Sequence, residues 1–264
     1  KTSEKKKSAV KSEKSASDQP GPAEAINVLR HAIELQPVRA DLHTRLSELQ
    51  LLSGEPQEAA ASLQTILAFE ALPLTLLQHA AHLAEKAKSP RLAADFYRRA
   101  AQLIKESDAK SYRDVLLKLA ESQADSENNH AALQTLRQLI ANDPADAQPY
   151  LLQAQIFTAL EQPENIISSL ENALQAVQAP ADLILVHSHL AQAHHKQGKY
   201  PAAYFHAAQA ADLATKSSSN HVEIYLLAAE LAQALLLNEP AQLALSQATN
   251  AASALATSNT PIAD

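Results

Sequence analysis

Apolar residues along this chain recur three and four positions apart, the spacing of one helix face. Residues 24–37, EAINVLRHAIELQP, set out the unit: Ala25, Leu29 and Ala32 at helical spacing, then Pro37 to stop the helix. The frame returns as Ala59-Leu63-Ile66, Ala93-Tyr97-Ala100 and Ala132-Leu136-Leu139-Pro144. It continues as Ile166-Leu170-Ala173, Ala203-Ala207-Ala210 and Ala244-Ala248-Ala251. Successive first positions lie 34, 34, 39, 34, 37 and 41 residues apart, so three steps share one length. Upstream of every frame but the first runs a second helical segment, such as LTLLQHAAHLAEKA (74–87), RDVLLKLAESQA (113–124) or AQPYLLQAQIFTAL (147–160). Short breaks separate the two: SGEPQ, KSP, EQPEN, QGKYP and NEP. Their Gly and Pro read as turns between antiparallel helices. A helix pair repeating at this period predicts an all-α solenoid in which each unit buries its face against its neighbours.

At this point the chain resembles the tetratricopeptide-repeat family. QGKYPAAYFHAAQA (197–210) is similar to the second half of that motif, with Gly198, Tyr200, Ala203 and Ala210 at matching positions. Residues 76–105 resemble nearly a whole unit, with Ala81 where the family often has Gly. Trp is absent, and the family's early aromatic survives as Tyr150. The resemblance implies a right-handed superhelix over residues 22–258, with repeats at 40–73, 74–107, 113–146, 147–180, 184–217 and 225–258.

Residues 22–37 have no first helix of their own, since KKSAVKSEKSASDQ offers almost nothing apolar to bury. Pro22 suits a first helical turn, and the segment is expected to cap the solenoid by laying Ile26, Leu29, Ile33 and Leu35 on the helix beginning near Ala40. The Lys/Ser-rich leader (1–21) is expected to be disordered. It reads either as a solvated linker or as a tether from an upstream membrane anchor, its lysines near anionic head groups. The far end, 241–256, has no polar-faced helix after it before the short tail 259–264. Either the chain continues there or that end forms a dimer.

Composition narrows the classes. The first nineteen residues hold six Lys and three acidic residues, leaving 16 of the 22 basic and 26 of the 29 acidic residues on the remainder, a charge near −10. That charge opposes phosphate, and nucleic acid is not an expected partner. With three Gly in 264 residues, few positive-φ turns are expected and no phosphate-cradling loop can form. Cys is absent, which removes disulfides, thiol nucleophiles and Cys-ligated metals. The longest apolar stretch, IYLLAAELAQALLL (224–237), is too short to span a bilayer and is interrupted by Glu230 and Gln233.

The family resemblance implies that the first helices line a concave groove that takes a protein or peptide ligand. One groove position per repeat reads Glu48, His82, Glu121, Gln155, Gln192 and Gln233; neighbouring positions add Gln78, Glu85, Thr158, Ser188 and His195. Amide and imidazole groups can hydrogen-bond a peptide backbone without selecting for charge. The bland alternative is a row of exposed polar residues on amphipathic helices. The lysine–asparagine clamp with which some family members hold a C-terminal carboxylate is not recognisable. His79 and His82 share one helix, and HSHLAQAHH supplies His187, His189, His194 and His195. In the repeat register His187 and His194 face neighbouring helices while His189 and His195 face the groove, so they do not converge on a metal. Neither a Ser-His-Asp elbow nor an oxyanion loop is present, and no cofactor is implied. The expected function is a non-catalytic scaffold for partner polypeptides, in a bacterial envelope, pilus or secretion assembly, periplasmic or membrane-tethered. The competing expectations are a cytoplasmic protein, a recruitment module of a larger enzyme or transporter, and a chain that polymerises end to end.

Overall fold

The computed structural model describes residues 21–104, 108–217 and 221–258. Most of the leader (1–20) and the tail (259–264) lie outside the described residues. Among the described residues there are thirteen helices and no strand. The chain divides into two compact units, one up to residue 105 and one from residue 106.

The first unit holds α1 (Pro22–Leu35), α2 (Ala40–Leu52), α3 (Pro56–Ile66), α4 (Leu74–Lys86) and α5 (Pro90–Leu103). Helix α1 packs on α2; α2–α3 and α4–α5 are hairpins, joined where α4 meets both α2 and α3. The frame residues enter the core: Ala59, Leu63, Ile66, Ala93 and Ala100 are fully buried, and Phe96, beside the frame residue Tyr97, is buried with them. Each large aliphatic side chain so buried contributes roughly 1.5–3 kcal/mol. Arg99 of α5 donates to the carbonyls of Leu67 (3.0 Å), Phe69 (2.6 Å) and Glu70 (3.1 Å), satisfying the end of α3 and the linker to α4. In α1, Ile26 is buried and Leu29 and Ile33 are half-buried, but Leu35 is 70% exposed. Leu35 therefore lies outside the contact expected of it: it is nine positions from Ile26, a rotation of about 180° around a helix.

The second unit holds α6 (Ala109–Asp125), α7 (Asn129–Asn142), α8 (Ala147–Ala159), α9 (Pro163–Ala176), α10 (Pro180–Lys196), α11 (Tyr200–Lys216), α12 (Val222–Ala234) and α13 (Asn238–Ser258). They form four hairpins, and the first helices α6, α8 and α10 also touch in order. Helices α6, α10 and α12 begin three or four residues before the expected repeat starts at 113, 184 and 225.

All six hairpins turn in the same way, through three residues. The middle residue is left-handed: Gly54 (φ 77°), Lys88 (54°), Glu127 (62°), Glu161 (55°), Gly198 (71°) and Leu236 (58°). The next amide reaches back to the helix, as Glu55 N–H to Gln50 (2.8 Å), Asn128 to Gln123 (2.8 Å) and Lys199 to His194 (3.0 Å). The middle amide closes the inner bond, as Gly54 to Leu51 (3.1 Å) or Leu236 to Gln233 (2.9 Å). This nested pair is the Schellman arrangement, which satisfies the last carbonyls of the first helix. Few positive-φ turns were expected from three glycines; among the described residues there are six, because four non-glycine residues accept the strain that the closed turn offsets. Pro at the start of α3, α5, α9, α10 and α11 then launches the next helix where its missing N–H costs nothing.

Candidate functional site

The turn residue gives every hairpin a common origin. Counting back six positions from it reaches Glu48, His82, Glu121, Gln155 and Gln192, one equivalent site on each first helix. In α12 the same position is Glu230, which is exposed. Gln233 is three back, in the row of Glu85, Thr158 and His195. Glu230 is thus the first-row residue that register reading missed, and the turn at Leu236 is what reveals it. Gln78 and Ser188 sit ten back, both half-buried.

In the first unit these positions are largely engaged with one another. Glu48 accepts from Arg45 (2.7 Å) and meets His79 of α4 at 3.0 Å, a link between neighbouring first helices. His82 lies 3.3 Å from Glu85, and Glu85 also accepts from the Tyr97 hydroxyl at 3.0 Å. Glu85 is therefore part of the α4–α5 hairpin closure as well as a surface group.

In the second unit the first row borders a cavity of about 530 Å³ between α6 and α8. Its polar lining is Glu121 and Asp125 of α6, Asn129 at the start of α7, and Gln148 and Gln155 of α8. Leu117, Leu151, Leu152 and Ile156 supply the apolar part. Two of the expected groove residues, Glu121 and Gln155, meet here. Asp125, Asn129 and Gln148 were not expected: they come from the ends of α6, α7 and α8, off the central row.

Arg113 of α6 ties α6 to the start of α8 and holds the lining residue Gln148. Its guanidinium donates to Asp146 through Nε (2.7 Å) and Nη2 (2.6 Å) and to Gln148 Oε1 at 2.9 Å. A third contact, to Asp114 at 2.8 Å, completes its neighbourhood. The hydrogen bond to Asp146 raises the Arg113 pKa above its ordinary value. Asp146 also caps α8 by accepting from Gln148 N–H at 3.0 Å, so one carboxylate fixes both the helix start and the clamp. Lys118 pairs with Glu121 at 2.7 Å on the exposed flank. The lining itself contains amides and carboxylates and no cation. It can accept hydrogen bonds from N–H groups and receive an apolar side chain beside them.

Of the remaining expected residues, Thr158 gives its hydroxyl to Ala154 C=O (2.8 Å) on its own helix, and His195 lies against Tyr200 with ring centres 5.6 Å apart. Gln192 is exposed. His187 and His194 do face α11, where they meet His206, a residue absent from the expected set; its spacing of twelve from His194 is what a three-residue turn imposes. Burial holds His187, His189 and His194 below the ordinary imidazole value, with Lys199 adding to the effect on His194 and Glu171 opposing it. Among the described residues no group of three or more His, Asp or Glu is placed to hold a metal ion, and no helix is long and apolar enough to cross a membrane.

No family model matches the sequence, and no curated protein matches it. Solved structures do. The C-terminal part of a TPR repeat-containing protein from Cytophaga hutchinsonii is 14% identical, with 86% of this chain and 89% of that one covered at a TM-score of 0.53. PilF of Pseudomonas aeruginosa is 16% identical over 83% and 90%, at 0.47. MamA (residues 41 to the end) of Desulfovibrio magneticus RS-1 is 20% identical over 68% and 97%, at 0.46. The helix pairs, their shared turn and the likeness to the Cytophaga protein agree: this chain has the tetratricopeptide-repeat fold.

Proposed function

We propose that this protein is a non-catalytic scaffold and that the α6–α8 cavity is where a partner polypeptide docks. The observation that carries the reading is the cavity lining. Glu121 and Gln155 stand at the same position of adjacent first helices, lining one cavity with Leu117, Leu151 and Leu152, and the Arg113–Asp146 pair ties the two helices together. An extended backbone laid across α6 and α8 would offer N–H groups to Gln155 and Gln148 and place one side chain among Leu117, Leu151 and Ile156. A preformed cavity keeps the ordering cost on the partner's side. The carboxylates of Glu121 and Asp125 suit a segment carrying Lys or Arg. The row continues along α8 and α10 to Gln192, which extends the same surface beyond a single pocket.

The test begins with a partner identified by photocrosslinking from position 155 and mapped to a peptide. Affinity for that peptide is then measured for Gln155→Glu, Gln192→Glu and the double variant. A loss of about tenfold or more from Gln155→Glu, with helical content and melting unchanged, supports docking here. An unchanged affinity would place the binding surface elsewhere.

A further inference from the structure

The last hairpin but one carries a cluster that the docking surface does not use. His187 and His194 project from α10 toward α11, where His206 meets both. The His187 and His206 Nδ1 atoms are 3.0 Å apart. One must donate and the other accept, so a single proton fits between them and two would face each other. On its other side His206 stacks on His194, the rings 5.5 Å apart and within 5° of parallel. His194 is buried, and its Nδ1 has no hydrogen-bond partner. A second positive charge in this stack would put a proton against another N–H or on a buried nitrogen with no acceptor.

Hairpin geometry makes the cluster specific. Residues 194 and 206 are the pair that the three-residue turn sets opposite each other. The same pair is Gln50 and Ser62 in α2–α3, and Gln123 and Thr135 in α6–α7, closed by hydrogen bonds of 2.8 and 2.9 Å. Among the described hairpins only α10–α11 closes this position with imidazoles.

We propose that the α10–α11 hairpin is a proton-sensitive joint: its three-histidine stack closes with neutral rings, and mild acid opens the hairpin locally. The groups around it leave the charge unanswered. Glu171 of α9 is the carboxylate that acts on His194, and Lys199 in the turn acts against it. From α12, Tyr225 directs its hydroxyl at Thr215 (3.2 Å), and Phe205 of α11 contributes a ring edge to His206. His189 lies two positions from His187, on another side of α10. Burial first, then His187 and His194, holds His206 down to about 4. An open hairpin therefore takes up a proton that the closed one refuses. Since Ser188, Gln192 and His195 ride on α10, the groove at that repeat loosens with the joint.

Hydrogen exchange of the full chain between pH 7.5 and 5, corrected for intrinsic exchange, reads the opening directly. The α11 opening constant should rise by up to about tenfold per pH unit below 6.5, while α6–α7 stays level. The swap H194Q/H206T, which installs the α6–α7 pair, should cut the slope sharply, leaving only the smaller contribution of His187 and His189. A level α11 profile in the natural chain, or a slope undiminished by the swap, overturns the proposal. Should the swap not fold, the His206 ring titration in the natural chain decides. A midpoint well below 6.5 supports the joint, and one at 6.5 ends it.

Discussion

Hairpins α6–α7 and α10–α11 share a turn, a core frame and a fold, yet they close on opposite chemistry. In α6–α7 the buried Gln123 accepts from Thr135 at 2.9 Å, and both groups are uncharged at any working pH. In α10–α11 the equivalent residues are His194 and His206, stacked and joined by His187. One clasp is indifferent to protons and the other excludes them. The lesson is that the repeat conserves a place, twelve residues across a three-residue turn, and leaves its chemistry open. The α4–α5 hairpin supplies a third solution at that place: Ala84 opposite Phe96, both fully buried.

That apolar solution gives the largest expected effect. Phe96→Ala should cost about 3–5 kcal/mol, because the ring fills the space that an Ala partner leaves and the site cannot collapse around the loss. Urea unfolding of the full chain measures it. A cost under 1 kcal/mol would mean that the hairpins do not depend on filling this place, and the comparison would lose its energetic meaning.

Acid comes next. The unfolded chain's imidazole binds its proton near 6.5, whereas His206 in the fold is held to about 4. The stability that this ring protects is fully present above 6.5, falls as pH drops, and stops falling near 4. By pH 5 the natural chain should have lost about 1–2 kcal/mol, after allowing for the solvent that reaches the ring. Thr135→Val in the other clasp should cost about 1–2 kcal/mol at every pH, since it leaves the buried Gln123 Oε1 without its donor. Paired urea titrations at pH 7.5 and 5 separate the two: only the histidine contribution should move with pH.

How much of this was legible beforehand follows from what each feature depends on. The helices and their core faces were readable because Ala59, Leu63 and Ile66 and their counterparts are apolar at fixed spacing, and burial selects for that directly. The equivalent positions from Glu48 to Gln192 were readable because helix register carries them; the register slipped to Gln233 in the last repeat, where no Gly announces the turn. The shared clasp was not readable, since Gln/Ser, Gln/Thr, His/His and Ala/Phe have no common polarity. His206 went unnoticed for the same reason: its partners are set by the turn, and the turn is a backbone property. The cavity was half visible, Glu121 and Gln155 standing on the row, whereas Asn129 and Gln148 enter only once the helix ends are placed.

The smallest expected effect isolates that backbone property from the clasp. Leu236 holds φ 58° with its side chain 84% exposed, so it bears the left-handed strain and contributes little burial. For an L-residue this conformation costs about 1–2 kcal/mol, and glycine would avoid it while adding about 0.5–1 kcal/mol of unfolded-state entropy. Leu236→Gly should therefore stabilise the chain slightly, by about 0.5 kcal/mol. Gly198→Ala should do the reverse by about 1 kcal/mol, although a Cβ there meets nothing within 4 Å; the penalty is conformational, not steric crowding by neighbours. Neither substitution touches residues 194 or 206, so both should shift stability equally at pH 7.5 and 5. If Gly198→Ala instead steepens the pH dependence, turn and imidazole stack act as one cooperative element, and the clasp cannot be treated as an independent variable on a constant turn.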